Sequence, residues 1–393
     1  MKYPLSCDTW DEQELNAIRR VMDSGRFTMG PEVEKFEMQF ADFFETEHAK
    51  MVNSGSSANL LMMQTARYSP EFDMDEGDAI IVPAVSWSTT FYPVNQAGFR
   101  MVFADVDKNS LNLCPKSVRR ILENNEDENI RAIFAVNLLG NPADLHELRQ
   151  ICNEYDLYFF EDNCESLGAV LDGQFAGTYA DMGTFSFFFS HHMQTMEGGM
   201  IVTNSERSAQ YIDSMRAHGW LRTLPQTNYL HNKTGDAFED SFRFVLPGYS
   251  VRPLEMSGAV GQVQLEKWPE MFEMRKKNAE EFVNVFGGDD RMTIQKENGD
   301  SSWFGFSIII DERYDRKGVT NALQKAGIEV RPIVAGNFMR NPVLKHLHYS
   351  APDTYYNADI IHDYGFFLGN DSINIEDKIN YAYDVINAEL CSQ

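Results

Sequence analysis

From about residue 50 to residue 205, short apolar runs alternate with longer stretches in which apolar residues recur every three or four positions. The runs Ala79–Val82, Arg100–Ala104, Ala132–Val136, Tyr158–Phe160, Gly183–Phe189 and Gly199–Thr203 read as buried strands, and Ser56–Thr65 and Asp144–Tyr155 as helices. Strand and helix in alternation imply parallel strands joined by crossover helices, and so a three-layer α/β domain. After Gly248-Tyr249-Ser250 a long helical pattern covers Leu254–Phe282. Strands come next at Ser302–Ile310 and Glu329–Pro332, with a helix at Lys317–Lys325 between them. The pattern predicts a large α/β domain over 1–250 and a smaller α+β domain over 251–393. The first forty residues, with a helix at Glu12–Ser24, form an arm that packs on a neighbour or on the small domain.

Composition narrows the functional classes. With 393 residues, 43% of them hydrophobic and with 28 Phe and 16 Tyr, the chain can bury a sizeable core. A formal charge of −25 repels nucleic acid and anionic lipid, so neither is an expected partner, although adaptation to salt also accounts for the acidity. No apolar run approaches a membrane span, and the N-terminal MKYPLSCDTWDEQE lacks the apolar core of a secretory signal. Cys7, Cys114, Cys152, Cys164 and Cys391 form no CxxC pair, which argues against a metal or iron–sulfur site and fits a reducing cytoplasm.

Ligands in open α/β sheets bind at the carboxyl ends of strands, which directs attention to the polar residues after each apolar run. Asn53-Ser-Gly-Ser-Ser-Ala-Asn59 stands at a helix start. Its amides and the hydroxyls of Ser56 and Ser57 suit a phosphate, although taken alone the stretch reads more simply as a serine N-cap. Asp162 ends the run Tyr158-Phe-Phe-Glu-Asp162, placed either to hold a proton on a heterocycle nitrogen or to cap the next segment. Trp87 offers a stacking face or packs in the core. Ser186 is the polar exception in an apolar strand, and its hydroxyl needs a partner if buried. Further on, Phe185-Ser-Phe-Phe-Phe-Ser-His-His192 leads into Glu197-Gly-Gly199.

The order of these features resembles the sugar aminotransferase family of fold-type-I pyridoxal phosphate enzymes, over most of the chain from Asn53 onward. The resemblance implies an aspartate aminotransferase-like, three-layer transferase fold. It implies a cofactor, pyridoxal 5'-phosphate or its pyridoxamine form, whose phosphate meets Gly55, Ser56, Ser57 and Ser186. The cofactor ring stacks on Trp87 and its nitrogen pairs with Asp162, with Glu165 on the hydroxyl side of the ring. Members are usually homodimers with shared sites, the partner giving an Asn from a Gly-Tyr-Asn motif. Here that motif ends in Ser250, a shorter side chain.

In ordinary members the fifth residue after the serine is the lysine that joins the cofactor covalently. Here it is His191, a departure that is similar to the small branch of pyridoxal-dependent sugar dehydratases, as are Trp87-Ser-Thr-Thr90 and Glu329-Val-Arg-Pro-Ile333. That likeness implies loss of the C3 hydroxyl from a nucleotide-linked 4-keto-6-deoxy sugar, GDP-4-keto-6-deoxy-D-mannose above all. L-Glutamate is then the amino donor and ammonia is released. An imidazole has no amine to tether the cofactor, yet moves protons near neutral pH. Arg222, Arg252, Glu329 and Arg331 are the candidates for substrate contacts. His192 points the other way on an extended segment, so we read it as structural and the pair as a poor metal site. Three other readings remain: an iron–sulfur-linked dehydratase, which needs a cysteine cluster; a plain aminotransferase, which needs a lysine; and a pseudoenzyme scaffold of the same fold.

Overall fold

The computed structural model of the chain describes residues 2–124 and 129–393. Its large sheet has eight strands in the spatial order His48–Val52, Gly199–Thr203, Met182–Ser186, Tyr158–Asp162, Ile130–Val136, Ala79–Pro83, Arg100–Ala104 and Tyr349–Ser350. Gly199–Thr203 runs antiparallel to both neighbours, and the other pairings are parallel. The central strands read as continuous apolar runs because both faces are covered by helices. Helices Gly55–Tyr68 and Ser88–Gln96 lie with one face's core, and Pro115–Asn124 and Leu145–Tyr155 with the other.

A four-stranded antiparallel sheet, Met292–Ile294, Gly305–Ile310, Gly365–Gly369 and Val330–Arg331 in spatial order, forms a second core with helices Arg316–Lys325 and Glu376–Ser392. The helix Glu255–Phe286 joins the two halves. Trp268 and Leu265 on it pack with Phe36 and Phe40 of helix Pro31–Phe43, and Phe282 and Phe286 enter the second core. The chain then returns to the first sheet, where Tyr349–Ser350 extends its edge beside Met101 and Val102.

Most expected elements are present with ends shifted by a few residues. One difference matters for function: the strand expected over Gly183–Phe189 ends at Ser186. Phe187 keeps two backbone bonds, with Gly198 and Thr195, but His191 N–H then closes a turn on the Phe188 carbonyl, and Phe188 and Phe189 are part-exposed. The apolar run predicts a longer strand; rings that face outward end it. Helix Pro31–Phe43 and strand His48–Val52 were not anticipated.

Phe306 stacks on Phe282 at 4.4 Å and 12° in the second core, fully buried. Phe306→Ala should lower unfolding free energy by about 3–5 kcal/mol through lost burial and a cavity. Chemical denaturation measures this, and a loss below about 1 kcal/mol would contradict the packing described.

Candidate active site

The carboxyl ends of the parallel strands open into one cavity of about 600 Å³, a size suited to a cofactor or small ligand. Ser54, Gly55 and Ser56 line it from the start of helix Gly55–Tyr68. Trp87 and Thr90 come from helix Ser88–Gln96 and its cap, and Asp162 and Ser186 are the last residues of adjacent strands. The second half of the chain contributes Phe304, Arg331, Pro332, Val334 and Phe367.

The phosphate-like corner is a close backbone approach. A Cβ on Gly55 would lie 2.6 Å from Ser186 Cβ and 2.9 Å from Cys164 Sγ. A Cβ on Gly199 would lie 2.4 Å from the Ser54 carbonyl carbon and 2.6 Å from Gly55 N. Glycine at both positions lets the returning strand and the helix start meet, and leaves the helix N-terminus facing the cavity. Ser56 Oγ donates to Thr89 Oγ1 (3.0 Å) at the rim. Ser57 is not drawn in. Its N–H and hydroxyl bond Ser54 Oγ (both 3.1 Å), so Ser54 is both the helix cap and the cavity-facing serine.

Asp162 is 6% exposed and firmly oriented. Its Oδ2 accepts from Asn59 Nδ2 and Thr90 Oγ1, both at 2.8 Å, and its Oδ1 from Cys164 N at 3.2 Å. Asn59 is in turn fixed through its Oδ1, which accepts from Thr184 Oγ1 (2.6 Å). The sequence alone did not reveal this role for Asn59 and Thr90. A signal was available for Asn59, which sits one helical turn after Gly55 and so on the same face. Glu165 also lines the cavity and accepts from Leu139 N (3.1 Å). Burial, with a smaller push from Asp162, raises its carboxyl to about 7 despite that bond.

His191 Nδ1 lies 2.9 Å from the Cys164 carbonyl oxygen. A carbonyl only accepts, so Nδ1 carries the proton and Nε2 keeps its lone pair. Phe304 meets the ring edge-on at 5.1 Å and Phe188 at 6.0 Å. Burial pushes the imidazole down to about 4, only partly offset by the Cys164 bond and Asp162. The result is a neutral, oriented base at pH 7. Adjacent His192 turns away: 1% exposed, it bonds the Ser302 carbonyl (3.2 Å) and meets Trp268 edge-on. No cluster of residues able to hold a metal occurs among the described residues.

The expected substrate residues divide. Arg331 lines the cavity and is exposed at its mouth. Glu329 does not; it is exposed and accepts from Leu5 N (3.3 Å). Arg222 and Arg252 lie outside the cavity, their guanidinium groups 3.4 and 5.4 Å from the Trp220 ring. Ser250 is exposed and also outside it. Residue type pointed to these side chains, but only tertiary folding decides which of them face inward.

The residues present fit a pyridoxal phosphate group. A helix N-terminus with serine hydroxyls, a fixed carboxylate and an exposed aromatic face (Trp87, 58% exposed) line one space, and a Cβ at Gly55 would clash with Ser186, another of its lining residues.

Comparison with known proteins agrees. Residues 8–378 match the model of the DegT/DnrJ/EryC1/StrS aminotransferase family. The chain is 46% identical over 390 residues to GDP-4-keto-6-deoxy-D-mannose 3-dehydratase of Yersinia pseudotuberculosis, covering 98% of each. The structure of the E coli GDP-4-keto-6-deoxy-D-mannose-3-dehydratase with bound hydrated PLP superposes with a TM-score of 0.95 at 48% identity, covering 98% of this chain and 99% of that one. A GDP-4-keto-6-deoxymannose-3-dehydratase with a trapped PLP-glutamate geminal diamine gives 0.95 at 47%, covering 98% and 100%.

The depressed imidazole has a stability consequence. Between the ordinary 6.5 and about 4 the unfolded chain binds the proton and the folded chain does not. Stability is therefore greatest above 6.5 and falls as pH drops through that window. The urea midpoint of His191→Gln should fall less than that of the original chain between pH 7.5 and pH 5. Equal falls would contradict a His191 that stays neutral down to about pH 4.

Proposed function

The chain belongs to the DegT/DnrJ/EryC1/StrS aminotransferase family, and we propose that within it this protein is the pyridoxal phosphate-dependent enzyme that removes the C3 hydroxyl of GDP-4-keto-6-deoxy-D-mannose. The observation that carries the reading is His191, tied through Nδ1 to Cys164 with Nε2 unprotonated, in a cavity that no lysine lines among the described residues. When bound, the cofactor supplies an amine for the sugar's 4-keto carbon and a ring that accepts the electron pair left by a departing proton.

The chain's own residues do the rest. The amides at Gly55 and the hydroxyls of Ser54, Ser56 and Ser186 are the groups to hold the phosphate, and Trp87 gives the ring a face. Asp162, held by Asn59 and Thr90, is the carboxylate to keep a proton on the ring nitrogen. His191 Nε2 takes the proton and is then the acid that hands it to the leaving C3 hydroxyl. A lysine amine there would compete by capturing the cofactor and by returning the proton to the sugar. Imidazole cannot do the first, and the outcome moves from amino transfer to loss of water. L-Glutamate is the amino donor, and ammonia leaves with the 3-deoxy product. A scaffold without activity would have no need of the Asn59–Asp162–Thr90 arrangement.

The finer reading is also ours. Arg331 at the cavity mouth is the cation to meet the diphosphate of the nucleotide in an otherwise repulsive acidic field. We infer a homodimer with shared sites. Ser250, Arg222 and Arg252 sit outside their own chain's cavity, near a surface that exposes Phe238, Phe242 and Phe244. A deoxysugar such as colitose, for a surface polysaccharide, is the fitting end product. No helix among the described residues is long and apolar enough to cross a membrane, and their five cysteines are free; a cytoplasmic enzyme fits both facts.

Incubated with pyridoxal phosphate, glutamate and GDP-4-keto-6-deoxy-D-mannose, the chain should release ammonia in step with the 3-deoxy product. His191→Asn should lower the rate by about 10²–10⁴-fold while cofactor binding persists. Amino sugar in place of ammonia, or a variant with full turnover, would overturn the assignment.

A further inference from the structure

The loop that carries His191 has two sides. Ser190, His191 and Glu197 face the cavity. Gln194, three residues after His191, faces away and is 1% exposed, yet its side-chain and main-chain polar groups are engaged. Its Nε2 donates to the Cys7 carbonyl (2.8 Å), and its Oε1 accepts from Thr9 N (3.4 Å). Its own carbonyl accepts from Trp10 Nε1 (2.8 Å) and its N–H donates to Gln264 Oε1 (3.1 Å). Gln264 Oε1 also accepts from Thr9 Oγ1 (2.8 Å), which closes the ring of bonds onto the long helix.

The other end of the same N-terminal segment is fastened to the small sheet. Tyr3 makes a single parallel bridge to Ile328, donates through its hydroxyl to the Gly369 carbonyl (2.6 Å) and accepts through its carbonyl from Glu329 N (2.9 Å). Leu5 N then donates to Glu329 Oε2 (3.3 Å). Glu329 stands two residues before Arg331. One extended segment therefore ties the wall bearing Arg331 to the loop bearing His191, and hydrogen-bonds neither side chain.

We propose that Gln194 is a positioning residue and that Tyr3–Trp10 is a strap which, through it, holds His191 at its reacting position. The proposal rests on the role given to His191 above. The physical need is clear. In lysine enzymes the covalent link to the cofactor anchors this loop; here no such link forms, and the Cys164 bond alone fixes only the ring. Buried bonds on the far side of the loop fix the backbone that carries it, because a buried amide side chain bonded at both its oxygen and its nitrogen has one favourable position and incurs a desolvation cost in others.

Two variants test this: Gln194→Ala, and Trp10→Phe, which keeps an aromatic ring but removes the Nε1 donor along with part of the indole's bulk. Amide hydrogen exchange on the full-length chain without cofactor comes first, so that it reads the strap whether or not the dehydratase reading holds. Exchange across 188–196 should quicken about tenfold, the effect of weakening one or two hydrogen bonds, while protection of Ile130–Val136 in the central sheet stays unchanged. With substrate, kcat should fall by a similar factor at unchanged KM. Unaltered exchange at 188–196 would overturn the proposal. So would quickening shared equally by the central sheet, which is simple destabilisation, or a looser loop with unchanged kcat.

Discussion

The hydrogen bond from His191 Nδ1 to the Cys164 carbonyl sets the chemistry of this site. It decides which nitrogen holds the proton and which is free to take one, on a side chain that lines the cavity. The surroundings supply the second requirement. Phe304 and Phe188 flank the ring with apolar edges, and the resulting desolvation keeps the imidazole uncharged well below neutrality. Fixed tautomer and neutral charge are both needed in a base, and one carbonyl and two aromatic rings provide them.

The same carbonyl belongs to a residue whose N–H donates to Asp162 Oδ1. His191 and Asp162, the base and the ring-nitrogen partner we propose, are thus both positioned by one short segment just past the strand Tyr158–Asp162. A doubly covered sheet backs that segment and sets Asp162 and Ser186 at strand ends, while His191 comes from the loop that follows Ser186. Asn59 and Thr90 reach Asp162 from two neighbouring helices, so three elements agree on one carboxylate. The arrangement suits a reaction whose outcome depends on where a single proton goes.

Much of this was legible in the sequence. Asp162 ends an apolar run, where the strand-end rule led to it; Ser186 stood out as the polar exception within a run, and the Gly55-Ser56 turn as a helix start. The exchange of lysine for His191 stood out once the surrounding motif was recognised. What stayed hidden depends on tertiary contact. Ser57 has the same side chain as Ser56, and only the cap made by Ser54 separates their fates. Arg222 and Arg252 match Arg331 in type, and the fold alone sends them to Trp220 and outside the cavity. Phe304 comes from the other half of the chain, and Gln194 reads as an ordinary loop residue until the N-terminal segment is laid against it. The turn at His191 was obscured by the phenylalanines before it, which favour a strand by composition and end one by exposure.

The most direct measurement of the central claim is the tautomer of His191 itself, read from the two imidazole nitrogen shifts of ¹⁵N-histidine-labelled protein at neutral pH, with the signal assigned by its loss in His191→Asn. A protonated Nδ1 beside an unprotonated Nε2 is the result required. An imidazole protonated on Nε2, or on both nitrogens, would leave no base facing the cavity and would contradict the account.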